Sequence, residues 1–98
     1  MAHLDWTLIK KLDDLSRDPQ VTALKALAWI LADQPRAQRL LDLTGLAPAD
    51  LRAAAAEPST HRAVLDFLCG HEPDLLAASD ALAIPPEEFI QARRKLGR

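Results

Sequence analysis

The chain has 98 residues, a formal net charge of −2 and 49% hydrophobic side chains, a profile of one domain able to bury a core without metals or disulfides. Ala and Leu supply 18 residues each, Val and Ile together only six, and Tyr is absent; this balance predicts an all-α fold, since strands favour branched and aromatic side chains. A disulfide scaffold is excluded by the single cysteine, Cys69, and a membrane span by the lack of an apolar run near the required ~18–20 residues. Asp5 interrupts the opening Met1–Trp6 stretch, so no signal peptide is expected and a cytoplasmic location is.

In chain order, residues 4–17 read as a first helix, with Leu8, Ile9, Leu12 and Leu15 in one narrow stripe opposite Lys10, Lys11, Asp13, Asp14 and Arg17. So thin a seam needs docking to hold it. Asp18-Pro19 is a strong start signal, a capping carboxylate followed by proline at the first helical position. The helix it opens, about 19–33, carries Val21, Leu24, Leu27, Ala28 and Leu31, widened by Ala23, Ala26 and Ile30. Thr22, Lys25, Trp29 and Asp33 form its less apolar edge, and the helix is expected to be buried at the centre of the fold.

Asp33 can cap a third helix, with Gln34-Pro35 in its first turn and Leu40 and Leu41 as core contacts. Gly45 stands at the left-handed stop position, with Leu46 free to fold back. Pro48 opens a short helix to about Ala56, held by Leu51 and Ala55, and Glu57-Pro58 ends it. Ser59 is the expected cap of a fifth helix with His61, Val64, Leu65 and Leu68 inward, Phe67 flanking and Gly70 closing. Pro73–Leu82 is a sixth helix and Pro86–Leu96 a seventh, with Phe89 and Leu96 facing inward.

Two of these junctions repeat one another. Arg39–Leu51 and Ala77–Phe89 share an apolar helix end, a small residue, an aliphatic plug, a proline, an acidic first turn and an apolar anchor. The expected architecture is a compact orthogonal bundle of six or seven short helices, one domain over 1–98, with two similar helix–corner–helix units around the 19–33 helix. Charge is unevenly spread along it. Asp66 to Glu88 holds six acids and no Lys or Arg, followed by Arg93, Arg94, Lys95 and Arg98. A solvated acidic face and cations matched to the dipole of the last helix account for this, the alternative being a dock for a basic partner.

No motif for catalysis emerges. His61, Cys69, His71 and Glu72 lie close in sequence but lack the CxxC or HExxH intervals of metal sites. Ser16, Ser59 and Ser79 each have a structural role at a helix end, cap or turn, and three isolated glycines cannot cradle a phosphate. The expectation is no enzyme, no cofactor and no metal. DNA binding is the alternative function, because Leu40–Leu51 has helix–turn–helix features around Gly45. Its second helix, Asp50-Leu51-Arg52-Ala53-Ala54-Ala55-Ala56-Glu57, offers one arginine for base edges, and Glu87 and Glu88 would repel phosphate in the second copy. A non-catalytic adaptor or regulator that binds another protein, or a second copy of itself, is the leading reading. Its candidate surface comprises Trp6, Trp29 and Ile30, with Trp6 as possible cover for Trp29, and the acidic residues Asp66, Asp74 and Asp80.

The residues Ala28-Trp29-Ile30-Leu31-Ala32-Asp33, Leu41-x-Leu43-Thr44-Gly45-Leu46-x-Pro48-x-x-Leu51-Arg52, Val64-Leu65-Asp66-Phe67-Leu68, His71-Glu72-x-x-Leu75-Leu76 and Pro86-Glu87 through Leu96-Gly97 carry a resemblance. From residue 20 onward the chain resembles a small bacterial family described only as a domain of unknown function, number 3572. Leu40 stands where that family usually has an aromatic, and Ala83 replaces a common glycine. The resemblance implies a compact helical fold in a bacterial cytoplasm and supplies no activity.

Overall fold

The computed structural model describes residues 7–8 and 18–97. Within 18–97 the chain forms six helices: α1 Pro19–Leu31, α2 Gln34–Thr44, α3 Pro48–Ala54, α4 Pro58–Cys69, α5 Glu72–Leu82 and α6 Pro86–Leu96. Every one of them carries a proline at its first or second position. Proline suits that place because its fixed φ is already helical and the N–H it lacks would have no partner there. Asp18 and Asp33 add side-chain caps, accepting from the backbone N–H of Gln20 (2.8 Å) and Arg36 (3.1 Å). The expected helix over 4–17, and Trp6 within it, lie outside the described residues except at Thr7 and Leu8, which are helical.

The boundaries from residue 18 onward agree with the sequence reading to within two residues: α1 stops at Leu31 and not 33, α3 at Ala54 and not Ala56, and α5 starts at Glu72 and not Pro73. Ser59 is not the cap of α4. Glu57 occupies that position without a side-chain bond, and Pro58 is the first helical residue. A Glu-Pro pair ends one helix and starts the next equally well, so the two readings differ only in which side of the proline the chain turns.

α1, α4 and α6 pack against one another in the middle of the molecule, with α2 leaning on α1 and α4, and α5 on α1, α4 and α6. Ile30, Leu40, Val64, Leu65, Leu68 and Phe89 are fully enclosed, surrounded by Ala23, Ala26, Leu27, Phe67, Leu75, Ala78, Ile84 and Ala92. Alanines on α1 let its backbone approach its neighbours closely, as small side chains must where helices cross at short distance. α1 is central in its contacts but is not buried on all sides. Leu24 and Leu31 are 43% and 42% exposed. An Ala- and Leu-rich helix is apolar at every azimuth, so periodicity alone could not tell which face the core would take.

The two corners are alike in backbone as well as in sequence. Gly45 ends α2 at φ +72°, its N–H donating to the Leu41 carbonyl, and Ala83 ends α5 at φ +54°, its N–H donating to the Ser79 carbonyl. A hydroxyl ties each corner: Thr44 Oγ1 donates to the Leu40 carbonyl (2.9 Å), and Ser79 Oγ donates to the Ile84 carbonyl. Ala83 is the one described non-glycine residue with positive φ.

Candidate functional site

A groove of about 800 Å³ runs along the outer side of α2 and α4. Phe67, 6% exposed, is its floor, and Leu46 and Ala63 line its walls. Leu43 stands at its lip, 73% exposed. The corner at Gly45 sets this up. It stops α2 one residue after Thr44 and folds Leu46 partly inward, where its N–H meets Thr44 Oγ1 at 3.3 Å, while Leu43 is left on the outer side of the last turn. Polar side chains rim the groove: Arg39, Asp42, Asp66 and His71.

Most of those side chains are already engaged. Asp74, at the start of α5, is nearly buried and its Oδ2 accepts from Arg39 Nη2 and faces His71 Nδ1, each at 2.9 Å. Arg39 also lies over the Phe67 ring, 5.2 Å from its centre, so the guanidinium fastens α2 to both α4 and α5. Asp66 pairs with Arg93 of α6 at 2.6 Å on the exposed side. Asp42 is held by Gln38 Nε2 at 2.9 Å and lines the groove, with no cation paired to it among the described residues. Of the acidic stretch from Asp66 to Glu88, Asp74 departs from the solvated face the sequence reading expected, while Asp66, Glu72, Asp80 and Glu87 are exposed. Asp74 ties α5 to α2, and Asp66 pairs with Arg93 in solvent. Sequence spacing could not reveal this, because the cations come from residues 39 and 93.

Trp29 is half-buried, and among the described residues Arg36 lies over its ring; Trp6, its expected cover, lies outside them. The guanidinium sits 3.6 Å from the ring centre, and its Nη2 donates to the Trp29 carbonyl at 2.9 Å, with Asp33 Oδ2 at 3.8 Å from Nε. Desolvated stacking of this kind both shields the indole and fixes the α1–α2 turn. Ile30 is fully enclosed and belongs to the core.

The chemistry-bearing residues go separate ways. His61 is buried on α4, its Nε2 2.7 Å from the Ala55 carbonyl just past α3, so it fastens that short helix down. His71 faces Asp74, while Cys69 is half-buried in the last turn of α4. Burial pushes its thiol pKa up, opposed by the charge of Arg93 and reinforced by that of Asp66. Among the described residues no three His, Cys, Asp or Glu side chains gather as a metal site, and no helix is long and apolar enough to cross a membrane.

The groove residues Leu43, Ala63 and Phe67 were not singled out as a site from the sequence. One signal was present. Leu43 lies between Asp42 and Thr44, off the Leu40–Leu41 stripe, and a leucine out of phase with the core is either incidental or meant for something else.

The fold is thus an all-helical domain of paired helix–corner–helix units with an apolar groove along α2 and α4. The chain belongs to the family described as "Protein of unknown function (DUF3572)", whose model matches residues 16–98. No curated protein and no solved structure matches it.

Proposed function

We propose that this domain is a non-catalytic protein-interaction module whose α2–α4 groove receives an amphipathic helix of a partner protein. The observation that carries this reading is Leu43, an aliphatic side chain 73% exposed at the lip of an apolar groove floored by Phe67. A groove of about 800 Å³ suits two or three apolar side chains presented at helical spacing. Asp42, a rim carboxylate with no cation paired to it among the described residues, favours a partner with Lys or Arg beside its apolar stripe. Arg39, braced by Asp74 and the Phe67 ring, keeps the wall rigid.

Selection from a displayed library of amphipathic helical peptides tests it. Peptides with two or more apolar side chains on one face and a flanking cation are expected to bind the wild-type chain. They should lose at least about tenfold in affinity against Leu43→Asp, since burying an unpaired charge in an apolar contact is unfavourable. Equal binding by Leu43→Asp, or no enrichment at all, overturns the reading. Tight, salt-sensitive retention of random duplex DNA in a gel shift would replace it with the helix–turn–helix alternative.

A further inference from the structure

Two arginines adjacent in sequence are joined in space by a third. Arg93 and Arg94 stand in the last turn of α6, and Arg62 reaches them from the first half of α4, its Nη1 donating to the Leu96 carbonyl at 3.4 Å. With Asp66 and Gly97 they line a depression of about 530 Å³ between α4 and α6. Arg93 Nε donates to Asp66 Oδ1 at 2.6 Å, and both side chains stay more than half exposed. Arg94 is exposed, with no hydrogen bond or ion pair among the described residues. The bond to Leu96 uses one N–H of Arg62, and a guanidinium carries several more.

The helix dipole accounts for cations in the last turn of α6. It does not require an arginine from another helix to join them around one depression. The result is a local excess of positive charge on a chain whose total is −2. The patch is also short. Lys95, next in sequence, lines a different depression together with Glu87 and Glu88. A nucleic-acid backbone needs a longer track of cations than this. A carboxylate needs only a guanidinium fork, which can hold both of its oxygens.

We propose that the α4–α6 depression binds the carboxylates of a short acidic segment of a partner protein, held by Arg62 and Arg94, with Asp66 competing for Arg93. The α2–α4 groove lies on the other side of Asp66, which lines both. The arginines alone define this site, so it stands or falls independently of the function proposed above.

Titrating the isotope-labelled full chain with tetraglutamate at low salt tests it, read from the arginine Nε–H signals by NMR. A saturable shift of the Arg62 and Arg94 signals is expected, with a Kd on the order of 1 mM. The double variant Arg62→Gln, Arg94→Gln should bind about tenfold more weakly, since each exposed pair contributes modestly. Lys25→Gln with Arg52→Gln removes the same charge from exposed positions outside the depression, and should stay within about twofold of the wild type. Asp66→Asn releases Arg93 and should tighten binding about threefold, whereas Asp80→Asn, an equal change of charge on α5, should not. Leu43→Ser alters the groove without altering charge and is expected to leave binding unchanged.

An absence of saturable binding, or an equal loss in the Lys25 and Arg52 variant, overturns the proposal. So does equal tightening by Asp80→Asn, or a loss with Leu43→Ser, which would put the peptide in the groove. Preference for inorganic phosphate or duplex DNA over tetraglutamate overturns the carboxylate assignment. Should the double variant fail to fold, Arg94→Gln alone carries the test at an exposed position, with a loss of about threefold expected.

Discussion

Arg39 of α2 and Asp74 of α5 meet at 2.9 Å across 35 residues of sequence, with the carboxylate nearly buried and the guanidinium half in solvent. This asymmetry decides what the pair contributes. An exposed pair is worth little, and a fully buried one is charged with the desolvation of both ions. Here only Asp74 is withdrawn from water, and it is compensated by both Arg39 and His71.

Asp74→Ala is accordingly expected to destabilise the domain by about 1.5–3 kcal/mol, the usual cost of losing hydrogen bonds to a charged group. Arg39→Ala should cost less by itself, because His71 remains, but it also strips the cation from over Phe67. Urea unfolding of both single variants and the double variant checks this. The two effects should be clearly non-additive, with a coupling of about 0.5–3 kcal/mol. Additive effects would show that the contact is incidental.

The paired corners give a second prediction. Gly45 and Ala83 hold the same left-handed backbone, but only the glycine does so without strain. A Cβ at Gly45 would meet no atom within 4 Å, so Gly45→Ala isolates the backbone term and should destabilise by about 1–2 kcal/mol. Ala83→Gly should stabilise by about 1 kcal/mol, the strain released exceeding the added freedom of the unfolded chain. Thermal or urea midpoints moving in opposite directions for the two variants would confirm it. A destabilised Ala83→Gly would mean that the methyl group makes contacts worth more than the strain.

These corners also show how far the sequence reaches. The helix starts were legible because proline and aspartate act through local geometry: Asp18-Pro19 and Asp33-Gln34-Pro35 form the caps their spacing suggests. The repeat of Arg39–Leu51 in Ala77–Phe89 was legible for the same reason, since both corners are built by neighbours in the chain. The tertiary partnerships were hidden. Nothing local pairs Asp74 with Arg39, turns Arg36 back over Trp29, or aims His61 at the Ala55 carbonyl. The groove was hidden too, because Leu43 and Phe67 become one surface only when α2 and α4 are laid side by side.

Cys69 supplies a prediction about pH. Its half-buried thiol is raised above the ordinary value of 9.0, chiefly by burial and further by Asp66, against the opposing pull of Arg93. Below that value the folded and unfolded chains both keep the proton, and the group leaves stability unchanged. As pH rises past it, the unfolded chain releases its proton first. The folded state then binds more protons, and stability falls until the folded thiol titrates as well. Urea midpoints of the wild type should therefore drop more steeply on the alkaline side of 9.0 than those of Cys69→Ser, whose hydroxyl does not titrate there. Alkylation follows the same logic, because the thiolate is the nucleophile. At pH 8 the native thiol should react with iodoacetamide more slowly than the urea-unfolded chain. Asp66→Asn should speed the native reaction, since it removes an anion and leaves Arg93 free to favour the thiolate. A native rate equal to the unfolded one, or a slower Asp66→Asn, would contradict this balance of burial and charge.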